Sequence, residues 1–227
     1  MKAHTKETQA AISPNRAIHL LKEGNQRFQS NKEVDRNLLA QVSDTSTGQY
    51  PFATILHCVD SRVSAELVFD QGIGDVFSIR IAGNFVNEDI LGSMEFACKV
   101  AGSKLIVVLG HSKCGAVKGA CDQVEMGNLT ELLSKIQPAV YSENKTKENR
   151  TSKNSDFVEN VAEINVKRSV KSIIERSFVL EQMLEEGEIG IVGAMHDIET
   201  GMVTFYDDVM YIKDDMNPEF SVAELRH

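Results

Sequence analysis

The sequence predicts an α/β protein: a mainly parallel β-sheet flanked by helices, with an N-terminal helical arm and a C-terminal antiparallel hairpin. Three observations carry this. First, four short runs are nearly continuous in apolar and β-branched residues: FATILHCVD from Phe52, VFSIRIAG over 76–83, KLIVVLG over 104–110 and EIGIVGAMHD over 188–197. Strands of a parallel sheet are covered on both faces and need that composition. Second, apolar residues between the runs recur at helical spacing, and strand alternating with helix is the pattern of a sheet covered on both sides. Third, ETG followed by MVTFYD after the last run reads as a tight turn into an antiparallel strand.

Taken in order, Ser13-Pro14 marks a helix start, because proline at the first helical position lacks only an N–H that would have no partner there. Ala17, Leu20, Leu21 and Phe28 then form one apolar face. Residues 30–50 are polar and irregular, so 1–50 reads as an arm lying over the surface or against a partner subunit, and 51–227 as the α/β domain. A brief helix is expected through Ala65–Phe69. Leu91, Met94, Cys98 and Ala101 make a helical stripe before the third strand, and Val117, Ala120, Cys121 and Val124 make another after it. The polar run SENKTKENRTSKNSD (142–156) separates two helical stretches, the second carrying Val166, Val170, Ile173, Ile174 and Phe178 on one face.

With 227 residues the chain can close one sizeable core. Its net charge of −9 argues against nucleic acid or an anionic membrane surface as a partner, since both would repel it. The basic cluster around Lys145–Lys153 is interleaved with Glu, Asn, Ser and Thr and reads as a solvated loop. The opening MKAHTKETQAAIS has no apolar core of the kind a leader carries, and no run approaches the ~18 apolar residues of a spanning helix. A cytoplasmic protein is therefore expected. Four cysteines in a chain of this size suggest reduced thiols or metal ligands rather than a disulfide scaffold.

Two fragments hold the chemistry, His57-Cys58-Val59-Asp60-Ser61-Arg62 and His111-Ser112-Lys113-Cys114-Gly115. Each falls where a predicted strand ends, and sites in such sheets lie outside the carboxyl ends of the strands. Residues two apart in extended chain point the same way, so Cys58 and Asp60 can address one point. Cys114, three residues after His111, is expected in the first helical turn, where the dipole and free N–H groups favour a thiolate. Two thiolates, an imidazole and a carboxylate are all ligands that zinc accepts. Each pair alone is weak evidence, because a strand cysteine is commonly a small buried hydrophobe. Cys98 and Cys121, on apolar stripes, read as core thiols. His57 reads as a structural histidine, and His196, before Asp197, as part of a turn.

CVDSRV at 58–63, RIAGN at 80–84 and GHSKCG at 110–115, in this order and spacing, resemble the β-class carbonic anhydrases, chiefly the bacterial branch. The likeness covers roughly residues 52–125. It implies one zinc ion per subunit held by Cys58, His111 and Cys114, an Asp60–Arg62 pair, and an obligate dimer that often pairs again into a tetramer. It also implies reversible hydration of CO2 to bicarbonate by zinc-bound hydroxide. Asp60 would then act as a gate: a fourth zinc ligand when the site is closed, an acceptor that orients the nucleophile when Arg62 holds it away. Ala82, Gly83 and Phe96 would line the CO2 pocket, though for Phe96 a plain core place is almost as good a reading. Gly115 would offer a backbone N–H to the anionic product. Some relatives carry a second bicarbonate site built on tryptophan, which this chain lacks entirely. Two thiolates neutralise the zinc charge, so activity is expected to favour the alkaline side. Other readings are a hydrolase of COS or CS2 on the same site and a zinc protein without turnover. A Cys–His thiol hydrolase is disfavoured because no oxyanion motif accompanies His111 and Cys114.

Overall fold

The apolar runs become strands, and the computed structural model describes them within residues 3–213. Three N-terminal helices, α1 (Lys6–Ala10), α2 (Pro14–Gln29) and α3 (Leu38–Asp44), precede strand β1 (Ala53–His57). A single turn, α4 (Ala65–Val68), leads to β2 (Val76–Arg80). Helix α5 (Glu88–Glu95) then runs on through a π-helical turn, Phe96–Val100, towards β3 (Leu105–His111). Helices α6 (Gly115–Cys121), α7 (Gly127–Ser134), α8 (Gln137–Ser142), α9 (Ser155–Arg176) and α10 (Phe178–Glu185) come before β4 (Gly190–His196) and β5 (Val203–Tyr211).

The sheet order is β2-β1-β3-β4-β5, parallel from β2 to β4 with β5 antiparallel at the edge. The predicted class is therefore the observed one. β1 and β3 are wholly buried, whereas the edge strand β2 is only half covered, which is why its sequence can hold Ser78 and Arg80. From β1 the chain steps outward to β2 and then crosses back to β3, so β1 and β3 flank a topological switch point. Crevices at such points, outside the carboxyl ends of the strands, are where these sheets place ligands.

One face of the sheet is covered by α5, α9 and α10, with Val166, Val170, Ile173 and Ile174 of α9 in its core. On the other face α2 contributes Ala17, Ile18 and Leu21 to a core shared with Phe52, Leu105 and Leu109. The expected arm thus packs, through α2, on its own chain's sheet. Truncating a fully buried leucine such as Leu21 costs ~2–5 kcal/mol, so α2 is integral to this core.

Residues 30–50, expected to be irregular, contain α3, whose start is capped by the Asn37 side chain on the Ala40 N–H. Phe178 does not share the α9 face. Ser177 ends α9, and its hydroxyl accepts from the Leu180 N–H to start α10, leaving Phe178 76% exposed. Val124 also lies beyond its helix, in the exposed turn after α6. Residues 214–227, the end of the expected 51–227 domain, lie outside the described residues, as do 1 and 2. No helix among the described residues is long and apolar enough to cross a membrane.

Candidate metal centre

Parallel register brings the two fragments together. His57, the last residue of β1, stands opposite Leu109 of β3, so Cys58 leaves the sheet beside the end of β3 at His111. Lys113 adopts a left-handed backbone (φ +57°), turning the chain so that Cys114 becomes the N-cap of α6 rather than part of its first turn. The turn is pinned by the Lys113 N–H on a Glu159 carboxylate oxygen (2.8 Å) and by the Ser112 hydroxyl, which accepts from the Ile198 N–H (3.0 Å).

Cys58, His111 and Cys114 are all buried, and their ligand-competent atoms lie within 4.8 Å of one another. The two sulfurs are 4.0 Å apart. The His111 Nδ1 lies 3.0 Å from the Ser112 carbonyl oxygen, and as a carbonyl can only accept, Nδ1 carries the proton. That leaves the Nε2 lone pair facing inward, and Nε2 is buried with no hydrogen-bond partner among the described residues. An orphaned buried acceptor is costly unless something binds it, and a histidine fixed through its other nitrogen is the usual metal-ligand arrangement. The donor set, two sulfurs and one imidazole nitrogen, fits zinc.

The electrostatics agree. A hydrogen bond from the Cys114 thiol, aided by the Gly83 N–H, pulls the Cys58 thiol well below its ordinary value against the opposing effect of burial. Cys114 is raised by that same thiolate and by burial. One proton is thus shared between the sulfurs, a state that a bound dication would replace with two thiolates.

Gly83 is the positioning element. Its N–H lies 3.4 Å from the Cys58 sulfur, its φ is +80°, and an added Cβ would stand 2.4 Å from the Ile136 Cδ1. The Gly83 carbonyl accepts from the buried Asn165 side chain of α9 (2.8 Å). Asn165 reaches that point because its neighbour Val166 fits against Gly110, where any side chain would collide with it.

Asp60 stands outside the three-residue cluster, held by Arg62. Nε donates to Oδ1 at 2.9 Å, Nη2 to Oδ2 at 2.7 Å, and the Arg62 backbone N–H to Oδ1 at 3.0 Å. These bonds keep the Asp60 carboxyl well below the usual carboxylate range. Arg80 braces the same loop through the carbonyls of Cys58 and Asp60. Val59, between Cys58 and Asp60, is exposed.

The remaining site residues divide. Ala82 is half-buried next to Gly83, and Gly115 opens α6 with open space where a side chain would stand. Phe96 joins neither the core nor the cysteine cluster. It is 54% exposed and meets Phe77 edge to face in a surface cleft. The stripe read from the sequence, Leu91, Met94 and Cys98, stays buried, and Phe96 stands off it.

His57 is structural as expected: its Nε2 meets the Ser78 hydroxyl (2.7 Å), and burial pushes it down to about 4. His196 is more than a turn residue. It is the register partner of His111, buried, with neither ring nitrogen partnered among the described residues, and burial pushes it down to about 4. Sequence reasoning missed this neighbour and Asn165. The signals were two parallel strands both ending in histidine, and an asparagine on the apolar face of α9.

Fold and site together define a class: an α/β protein with a buried thiolate–imidazole centre at its sheet's switch point, beside an ionised Asp–Arg pair. The family model for carbonic anhydrase matches residues 53–203. Carbonic anhydrase 2 of Mycobacterium tuberculosis is 32% identical over 203 residues, covering 87% of this chain and 95% of that protein. The carbonic anhydrase of Mycolicibacterium smegmatis is 34% identical over 197 residues, 84% and 92% of the two chains. Among solved structures, the β-carbonic anhydrase CcaA superposes with a TM-score of 0.66 at 27% identity, covering 87% of this chain and 92% of that one. The chain belongs to the β-class carbonic anhydrase family and is an enzyme of that family.

Proposed function

We propose that the chain catalyses reversible hydration of CO2 to bicarbonate and a proton, using one zinc ion held by Cys58, His111 and Cys114. The observation that carries this is the unpartnered, buried Nε2 of His111 facing two sulfurs at ligand distance. Zinc, when bound, supplies the Lewis acidity that makes a water nucleophilic near neutral pH.

The protein's own residues do the rest. Arg62 keeps Asp60 ionised and turned from the cluster, so that Asp60 serves as an acceptor that orients the nucleophile. Release from Arg62 would let the Asp60 carboxylate compete for the metal and shut the site, which is the gate expected from the sequence. Gly83 fixes Cys58 through its N–H, and the apolar surround of Phe85, Val117 and Ile136 keeps the centre dry. Gly115 and Ala82 remain the candidates for the product amide and the pocket wall.

The relatives support a bacterial enzyme. Self-association to a homodimer or homotetramer is supported by the exposed apolar residues of α3 and α4, Leu39 (82%) and Leu67 (67%) among them. It is also the state named for the tetrameric β-carbonic anhydrases of Sordaria macrospora, which share this fold. Light scattering of the purified protein measures it directly. The function is tested by stopped-flow CO2 hydration across pH, before and after chelation and zinc return, with COS and CS2 as parallel substrates. Chelator-sensitive hydration rising on the alkaline side is expected; a rate with CO2 far below that with COS or CS2 would assign the site to those substrates instead.

A further inference from the structure

A second polar cleft, of about 290 Å³, lies between α9, the α7–α8 junction and the Phe85–Val86 loop. Its lining carries three cations, Lys135, Arg168 and Arg176, and no carboxylate. That is an unusual concentration in a chain of net charge −9. The residues come from a deliberate stripe: Asn165, Arg168, Ser169, Ser172 and Arg176 recur at helical spacing along α9, beside the core face of Val166, Val170 and Ile173.

The stripe is not simply a solvated face. Asn165 is 3% and Ser169 4% exposed. Both are fixed in place, Asn165 by the Gly83 carbonyl (2.8 Å) and Ser169 by the Asn84 carbonyl (3.2 Å). Above this floor stand the exposed cations. Arg168 has no ion-pair partner among the described residues, whereas Lys135 pairs with the exposed carboxylate of Glu131 and Arg176 with that of Glu88, Arg176 also donating to the Val86 carbonyl (3.2 Å). Exposed pairs of that kind are worth little, so their cations are available to a ligand that engages several donors at once. Ser172 adds a hydroxyl donor, and Phe85, Val86 and Pro138 make one end of the cleft apolar.

We infer that this cleft binds a dianionic phosphate group, free or as the monoester of a small organic molecule, through Arg168, Arg176 and Lys135. Two guanidinium forks, an ammonium and a hydroxyl lining one space match a group with three acceptor oxygens better than they match a halide or a single carboxylate. The floor residue Asn165 is the one that holds Gly83 against Cys58, so the bound anion would rest one hydrogen bond from that backbone.

Calorimetric titration of the zinc-loaded protein with inorganic phosphate and with AMP, at ionic strength fixed by chloride, tests this. Saturable binding is expected, weakened about tenfold or more in Arg168→Gln and further in Arg168→Gln/Arg176→Gln, as removal of a charge-assisted hydrogen bond predicts. Lys171→Gln removes the same charge from an exposed α9 position outside the cleft lining and should leave binding unchanged. Tighter binding of AMP than of phosphate would identify an organic monoester as the ligand, and equal binding free phosphate. The inference is overturned if neither probe saturates, or if Arg168→Gln binds as wild type does. It is equally overturned if Lys171→Gln weakens binding as much, since the effect would then be general charge.

Discussion

Replacing Gly83 with alanine tests the link between backbone and metal centre most sharply. The new Cβ meets two penalties. At φ +80° an L side chain is strained by ~1–2 kcal/mol. The methyl would also stand 2.4 Å from the Ile136 Cδ1 and 3.3 Å from the Ala116 Cβ, and relieving such overpacking costs ~1–3 kcal/mol. Gly83→Ala should therefore destabilise by ~2–5 kcal/mol, lowering the melting temperature by ~2–4 °C per kcal/mol in a chain of this size. Ile136→Val removes the clashing Cδ1 and alone costs ~0.5–1.5 kcal/mol. In the double variant the severe contact with Cδ1 is gone, while the Ala116 contact and the backbone strain stay, so the loss should fall short of the sum by about 1 kcal/mol or more. Thermal and denaturant unfolding of all four proteins, zinc-loaded and at equal protein concentration, measures the cycle. Full additivity would refute the steric account, and a melting temperature unchanged in Gly83→Ala would refute both terms. Zinc content should also fall in Gly83→Ala, because the N–H that faces the Cys58 sulfur is displaced with the backbone.

Three further outcomes are expected. Arg62→Ala should keep zinc stoichiometry but depress CO2 hydration, measured by metal analysis and stopped flow, because Asp60 loses the bidentate partner that holds it off the cluster; undiminished turnover would discard the gate. Alkylation mapped by mass spectrometry should find all four buried cysteines slow in the zinc-loaded protein, with Cys58 reacting first after chelation. The reason is that the hydrogen bond from Cys114 lowers the Cys58 thiol, whereas burial pushes Cys98 up to about 12 and Cys121 to about 11. Glu143→Gln should destabilise the protein near neutral pH by ~1–3 kcal/mol. Burial raises the Glu143 carboxyl, but the Thr146 N–H, the Thr146 hydroxyl and Arg150 outweigh it and hold the carboxyl below its ordinary 4.5. A depressed carboxylate stabilises the fold above its unfolded value and loses that contribution as pH falls through the folded one. Denaturant unfolding should therefore show wild type and variant converging below about pH 4.5.

Much of this protein was legible in its sequence, for local reasons. Continuous apolar runs can only be strands of a covered sheet, and Cys58, His111 and Cys114 were marked by residue type at strand ends. The hairpin into β5 followed from turn chemistry, and His57 from alternation along β1. Other features depend on contacts between distant segments, which periodicity does not encode. α2 is part of this chain's own core because Leu21 joins the cluster that holds Leu105 and Phe52, which forms only when the sheet exists. Phe96 meets Phe77 of β2 in a surface cleft, a contact between segments that spacing does not announce. His196 stands beside His111 only through the β3–β4 register, and Asn165 reaches Gly83 only because glycines let α9 approach the sheet. The sequence by itself determined which residues could hold a metal. Tertiary structure decided that Asp60 faces Arg62 instead of the cluster, because two hydrogen bonds to a guanidinium two residues away fix a carboxylate that sequence leaves free to turn either way.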